Sequence, residues 1–150
     1  MPQSLAAVYV HLVYSTKNRV PLLTPEIEGE LYPYQNEVLK GLGCSPVLGN
    51  GTADHSHWLF RLGRTVSIAA VVEEVKTSSS KWIKTKGPAF AGFSWQAGYG
   101  AFSVSASMVP QVEHYIANQK QHHATMTFQD ELRTLLRRYG IDFDERYVWD

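Results

Sequence analysis

Hydrophobic and polar positions follow a strand-like pattern in three parts of the chain. Residues 5–16, LAAVYVHLVYST, are rich in Val and Tyr and partly alternate, which predicts a central β-strand. Residues 45–62 predict two strands joined by a turn at Gly49–Asn50–Gly51. A fourth strand is predicted at 99–105, after a glycine- and aromatic-rich loop.

Helical spacing fills the remainder of the chain. Thr24 is the expected N-cap of a helix that begins at Pro25 and ends near 41–43, with a kink or break at Pro33. Residues 65–87 predict a second helix, which ends at Gly87–Pro88. Two more helices are expected at 107–123, capped by Ser107, and from Thr127 onwards, and the last ten residues predict a tail or a short strand.

The first six elements follow the order β-α-β-β-α-β. This order predicts an α+β protein with a ferredoxin-like antiparallel sheet, helices on one face, and two additional C-terminal helices. The chain shows no internal repeat, low-complexity segment or linker. We therefore expect one domain over residues 1–150.

Composition limits the class of protein. The 150 residues are 44% hydrophobic and 19% charged, as in ordinary globular domains, and no apolar run approaches a membrane span. The single cysteine, Cys44, cannot form an internal disulfide and predicts a cytoplasmic protein. Zero net charge argues against non-specific coating of nucleic acid, although residues 76–86 hold four lysines and no acid.

Two histidines stand one residue apart in the third predicted strand. Side chains alternate between the faces of a strand, so His55 and His57 point the same way and can share a divalent cation. Such pairs also arise without any metal. A metal site needs at least one further protein ligand.

The helix predicted at 107–123 offers candidates for that ligand and for a nucleophile. Tyr115 and Gln119 are four residues apart, so they share one helical face. Gln119 supplies a neutral oxygen, and a tyrosine acts as a nucleophile when a metal or base activates it. The alternative is that Tyr115 packs the helix onto the sheet and Gln119 is a surface residue. Among metals, Mg²⁺ and Mn²⁺ prefer oxygen ligands, and imidazole suits Mn²⁺ better.

The combination of these segments resembles a known family. In order, DHSH in a strand, KTSSSKW, FSWQAGYGAFSVS and VEHYIANQKQHH are similar to the single-tyrosine insertion-sequence transposases of bacteria and archaea, whose signature is His-hydrophobic-His. The resemblance implies a ferredoxin-like fold related to the RNA-recognition fold, a homodimer, and no nucleotide cofactor. It also implies that Tyr115 is the nucleophile and that His55, His57 and Gln119 bind Mg²⁺ or Mn²⁺.

The chain departs from the family signature at Ser56, where a bulky apolar residue is usual. This position should face the core, where a serine leaves a small void or bonds neighbouring backbone. DNA contacts are expected in the lysine-rich segment. The expected contacts are Lys76, Ser79, Ser80, Lys81, Lys84 and Lys86.

The predicted function is a metal-dependent transposase that cuts and rejoins single-stranded DNA, carrying a hairpin at the element ends, through a 5′-phosphotyrosine intermediate. One alternative is a domesticated relative that processes repetitive palindromic DNA. Another is a non-catalytic binder of single-stranded nucleic acid that uses the same sheet.

Overall fold

A computed structural model describes residues 2–150 and shows a four-stranded sheet with five α-helices. The strands are β1 (Tyr9–Ser15), β2 (Ser45–Gly51), β3 (His55–Arg61) and β4 (Gly100–Val104). The helices are α1 (Pro25–Gly41), α2 (Ile68–Lys84), α3 (Val109–Ala117), α4 (Gln119–His122) and α5 (Phe128–Arg138). No helix within the described residues is both long and apolar enough to cross a membrane.

The sheet has the strand order β2-β3-β1-β4, and all neighbouring strands are antiparallel. Helices α1 and α2 pack against each other on the same face of the sheet. This arrangement confirms the predicted α+β, ferredoxin-like fold.

One face of the sheet packs against α1 and α2. Leu12 and Tyr14 of β1 and Phe60 of β3 are fully buried there, as the strand alternation predicts. Ser56 points into the same core, and its hydroxyl lies 3.0 Å from the Tyr32 hydroxyl. The hydroxyl of the partly buried Tyr32 therefore partners Ser56, and the predicted void or backbone bond at Ser56 is replaced by this side-chain contact.

The opposite face is covered by the C-terminal part of the chain. Val13 and Phe102 pack against the apolar side of α5, while Leu59 packs with Ile116 of α3. Aromatic residues of the last ten positions, Phe143 and Trp149, also pack against the α5 cluster. The C-terminal residues are a packed tail without a strand, and this face of the sheet is closed to solvent.

Three local predictions were wrong. The helix α1 continues through the exposed Pro33, so the predicted break does not occur there. The hairpin turn lies after Gly51, because β2 continues through that residue and pairs it with Ser56. The helix expected at 107–123 is interrupted at Asn118, where φ is −99° and ψ is 20°, so Tyr115 and Gln119 belong to two helices.

Gly51 is required by a close approach of two strands. A Cβ atom at this position would lie 2.1 Å from the backbone oxygen of His55. The Gly51→Ala variant should therefore lose about 1–3 kcal/mol of unfolding free energy, since the backbone must shift. Gly29, in the middle of α1, has no atom near its would-be Cβ. Gly29→Ala should gain about 0.5–1 kcal/mol.

Urea unfolding of the two alanine variants and the wild type measures both values. The same change in unfolding free energy in both variants would contradict the strand contact at Gly51, because of the two glycines only Gly51 has an atom close to its added Cβ.

Candidate active site

The site begins with the two histidines of β3. His55 and His57 are fully buried on the face covered by α3 and α5. His57 lies opposite Val13 in β1, and its Nδ1 is 2.7 Å from Nε2 of His11. The expectation that both imidazoles point the same way is confirmed. The buried imidazole of His11 contacts His57 on the side away from Glu131.

Glu131 occupies the centre of the site. The Thr127 side chain caps α5, and the acid stands in the first turn on the same stripe as Phe128 and Leu132. Its side chain is only 1% exposed. Burying an ionised carboxylate is unfavourable unless charged or hydrogen-bonding partners surround it.

One oxygen of Glu131 faces imidazoles. Oε1 lies 2.9 Å from Nε2 of His57, 3.0 Å from Nε2 of His123 and 3.4 Å from Nε2 of His55. The donor atoms of His55, His57, His123 and Glu131 all lie within 4.8 Å of one another. Within residues 2–150 this cluster has the composition and closeness of a metal site.

The other oxygen of Glu131 faces the candidate nucleophile. The Tyr115 hydroxyl donates to Oε2, and the amide nitrogen of Gln119 donates to the same oxygen at 2.9 Å. The amide oxygen of Gln119 lies 3.1 Å from Nε2 of His55. Although α3 and α4 are separate helices, Tyr115 and Gln119 therefore still meet at the same carboxylate.

The residues of the cluster shift one another's pKa values. Burial alone would raise the pKa of Glu131, but hydrogen bonds from His123, His55 and His57 outweigh it and hold that pKa well below its usual range. Burial disfavours the cation of His55, yet its hydrogen bonds to Asp54 and Glu131 raise its pKa to about 9. These shifts favour an ionised Glu131 and a protonated His55.

The pKa values of the neighbouring His11, His57 and Tyr115 shift so that their uncharged forms are favoured. Burial, followed by repulsion from His57, lowers the pKa of His11 to about 3. Burial likewise lowers the pKa of His57. Burial raises the pKa of the Tyr115 phenol, and the negative charge of Glu131 raises it further. The phenol therefore keeps its proton in this arrangement.

Sequence reasoning found four of the residues that meet here and missed two. His55, His57, Tyr115 and Gln119 come together, and Gln119 is fully buried, which excludes the alternative of a surface residue. Sequence analysis gave neither His123 nor Glu131 a role in the site. A signal for Glu131 existed, because it falls at the buried spacing of α5 occupied by Phe128, Leu132, Leu135 and Leu136.

The lysine-rich segment is only partly available to DNA. Ser79 is fully buried and donates to the Val75 carbonyl, so its expected DNA contact is wrong. Lys76 donates to the backbone carbonyls of Gln96 and Gly98 at 2.7 and 2.6 Å, so it anchors that loop instead of meeting phosphate. Lys86 forms an ion pair of 3.0 Å with Glu30.

Three other predicted DNA contacts face solvent along one groove. Lys81, Lys84 and Ser80 line a groove of about 480 Å³ between α2 and residues 95–99. Tyr99, which is 42% exposed, closes its other side. A second cleft of about 520 Å³ opens beside Asp54 and His123, at the edge of the buried cluster.

The chain is similar in fold to two solved structures. A crystal structure of a protein from Deinococcus radiodurans R1 that carries the name transposase superposes with a TM-score of 0.62 at 24% identity. The match covers 79% of this chain and 98% of that one. The structure of a REP-associated tyrosine transposase bound to a REP hairpin also has a TM-score of 0.62, at 12% identity. That match covers 84% of this chain and 74% of the other.

At such identities the two structures establish the fold alone. No curated protein sequence matches the chain. The family model for IS200-like transposases matches residues 4–119, from before β1 to the first residue of α4. Because this match spans most of the chain, including His55, His57 and Tyr115, the protein belongs to the IS200-like transposase family.

Proposed function

We propose that the protein is a metal-dependent transposase that cleaves and rejoins single-stranded DNA with Tyr115 as the nucleophile. The observation that carries this proposal is the meeting of the Tyr115 hydroxyl with the His55–His57 pair at one buried carboxylate. Membership of the IS200-like family supplies the reaction class. A purely structural tyrosine has no need of a buried acid and two imidazoles beside its hydroxyl.

The reaction follows from the chemistry of a phenol. The Tyr115 oxygen attacks a backbone phosphorus and the phosphorus–oxygen bond to the 3′ oxygen breaks. The strand on the 3′ side of the break is then joined to the tyrosine through its 5′ phosphate, and the strand on the 5′ side ends in a free 3′-hydroxyl. The phenol loses its proton and the departing 3′ oxygen gains one, so the charge balances. Because the ester retains the energy of the broken bond, another 3′-hydroxyl can reverse the step and join a new strand.

The residues present fit a divalent cation. His55 and His57 would hold it through Nε2, and the amide oxygen of Gln119 lies beside them. When bound, Mg²⁺ or Mn²⁺ would polarise the phosphate and offset the negative charge that keeps the Tyr115 phenol protonated. Glu131 meanwhile holds the phenol oxygen on the histidine side of α3.

The DNA substrate follows from the two open surfaces. A hairpin would lie along the groove that Lys81 and Lys84 line, where each ammonium can neutralise a phosphate. The single strand to be cut would enter the cleft beside Asp54 and His123, which Arg19 also lines. The structural neighbour bound to a REP hairpin supports a hairpin-bearing substrate.

That neighbour also favours one second candidate, a domesticated relative that processes repetitive palindromic DNA. The chemistry at Tyr115 is the same, and imperfect palindromes at both ends of the gene would instead favour a mobile element. The non-catalytic binder is less well supported. In residues 2–150 the sheet face that such a binder would use is covered by α3 and α5, with Val13 and Phe102 buried beneath them.

The nucleophile is tested by removing one oxygen. Tyr115→Phe should abolish the covalent protein–DNA adduct on a hairpin-bearing single strand with Mn²⁺ or Mg²⁺, while hairpin affinity stays within a few-fold. Its unfolding free energy should fall by about 1.5–3 kcal/mol, because a hydrogen bond to a charged acceptor is lost. Denaturing gels measure the adduct and the free 3′-hydroxyl.

Tyr139→Phe is the matched control, since it removes a phenol that donates to the Ser103 carbonyl away from the site. This control should retain the adduct. An adduct formed at the wild-type rate by Tyr115→Phe would contradict the assignment of Tyr115 as the nucleophile. No adduct from the wild type on any hairpin-bearing strand would remove the transposase proposal.

The groove on α2 is tested by salt dependence. Lys81→Ala and Lys84→Ala should each lower the slope of log affinity against log salt by roughly 0.7, the value for one lost phosphate contact on a single strand. Lys40→Ala is the control, because Lys40 is an exposed lysine on α1 paired with Glu37. Unchanged slopes for both groove variants would place the hairpin on another surface.

Homodimerisation remains a prediction from the family resemblance. Since Tyr115 already reaches the Glu131–His57 cluster of its own chain, we expect each subunit to cut with its own groups. A mixture of His57→Ala and Tyr115→Phe proteins should therefore stay inactive. Recovered adduct in the mixture would instead establish sites shared between subunits, and light scattering reports whether the wild type is a dimer.

A further inference from the structure

We propose that Arg19 binds a backbone phosphate of the single strand, next to the phosphate that Tyr115 attacks. This inference deepens the proposed function and rests on it for the nature of the substrate. Arg19 lines the cleft of about 520 Å³ beside Asp54 and His123, whereas Tyr115 is not among the residues that line it. A phosphate bound at Arg19 is therefore a neighbour of the scissile phosphate on the same strand.

The end of β1 places Arg19 beside the strand that carries the histidines. Ser15, the last residue of β1, lies opposite His55 in β3. The chain then turns, and the backbone N–H of Thr16 donates to the Asp54 carbonyl at 2.9 Å. Arg19 belongs to the same turn, since its backbone N–H donates to the Thr16 carbonyl at 3.0 Å. The turn is therefore fixed to the residue that precedes His55.

The backbone of this turn is strained at Arg19. Asn18 and Arg19 have φ values of 57° and 55°, in the left-handed region that glycine, and occasionally asparagine or aspartate, adopts routinely. The Thr16 hydroxyl donates to the Val20 carbonyl at 2.8 Å and closes the turn. Strain of this kind persists where neighbouring contacts hold it, and it is concentrated at functional sites. An arginine where glycine would be unstrained supports a role for its side chain.

The guanidinium of Arg19 is held in place without being neutralised. Its Nη1 donates to the Trp149 carbonyl at 3.0 Å. This acceptor is uncharged, and a guanidinium has several further N–H donors, so the positive charge and those donors remain for another partner. Within residues 2–150 Arg19 forms no ion pair.

The charges of the cleft indicate which ligand it takes. Arg19 is the only lysine or arginine among the described residues that line it. Asp54 lines it as well, and its carboxylate lies 2.8 Å from Nδ1 of His55. A cation beside that carboxylate offsets the repulsion that an approaching phosphate would meet. The planar guanidinium can bind a phosphate through two parallel hydrogen bonds, so a DNA phosphate fits this position.

The experiment compares two DNA probes in the presence of a chelator, so that no strand is cut. One probe is a hairpin-bearing single strand as tested for the adduct, and the other is that strand trimmed to its hairpin. Fluorescence anisotropy measures both affinities, and the wild type should bind the longer strand more tightly. Arg19→Ala should lose roughly 10-fold in affinity for the longer strand, the size of one charge-assisted hydrogen bond, and bind the trimmed hairpin as the wild type does.

Salt dependence separates a phosphate contact from a structural role. On the longer strand, Arg19→Ala should lower the slope of log affinity against log salt by roughly 0.7. Arg19→Lys should restore the slope and part of the affinity, because it keeps the charge and loses the planar fork. Lys17→Ala is the matched control, since Lys17 is exposed in the same turn and does not line the cleft. It should bind both probes as the wild type does.

Thermal melting checks that each variant is folded. Should Arg19→Ala not fold, Arg19→Gly takes its place, because glycine adopts a φ of 55° without strain. Three results would each overturn the proposal. The wild type gains no affinity from the single-stranded part, or Arg19→Ala keeps the wild-type affinity and slope, or Lys17→Ala loses as much as Arg19→Ala.

The result is separable from that for the proposed function. Weakened binding of the longer strand by Arg19→Ala, together with a wild type that never forms a DNA adduct, refutes the transposase activity and leaves the phosphate contact in place. A wild type that forms the adduct, together with normal binding of the longer strand by Arg19→Ala, retains the activity and refutes the contact.

Discussion

The structure of the site depends on one buried anion, the carboxylate of Glu131. An ionised acid that is 1% exposed is tolerated only where cations or hydrogen-bond donors replace water. Those donors come from β3, α3, α4 and the turn before α5. The carboxylate therefore fixes the relative positions of the strand that carries the histidines and the helix that carries Tyr115. Without it, the histidine pair and the Tyr115 phenol would lose the partner that they share.

The sheet separates packing from chemistry by strand alternation. In β3, Ser56, Trp58 and Phe60 point to the core under α1 and α2, while His55 and His57 point to the other face. A ferredoxin-like sheet leaves that second face free, and here the C-terminal helices cover it. The helices that cover it keep water away from the imidazoles. Electrostatic interactions among buried groups are stronger than in water. The closed face encloses the histidine–carboxylate cluster and leaves no broad open sheet surface for nucleic acid in residues 2–150.

Local periodicity was sufficient for the fold and for part of the site. The strand period placed His55 and His57 on one face, and the element order gave the ferredoxin-like topology. What failed depends on tertiary contacts. Gly51 was interpreted as a turn residue, although its missing Cβ serves the approach to His55. Ser79 and Lys76 carry polar groups that suit DNA, yet both donate to backbone carbonyls of their own chain. Ser79 donates to Val75 and Lys76 donates to Gln96.

Glu131 shows why a site residue can be missed from sequence even when its signal is present. An acid in the first turn of a helix is ordinarily explained by the helix dipole, and that explanation needs no partner. Its place on the buried stripe of α5 contradicts a solvated acid, because the neighbouring stripe positions are Phe128 and Leu132. A charge on an apolar stripe must have a partner of opposite sign or donor character. Here the partners are three imidazoles and the Tyr115 phenol. Burial, followed by the charge of Glu131, raises the pKa of that phenol, so the acid that accepts the hydrogen bond from Tyr115 also favours its protonated form.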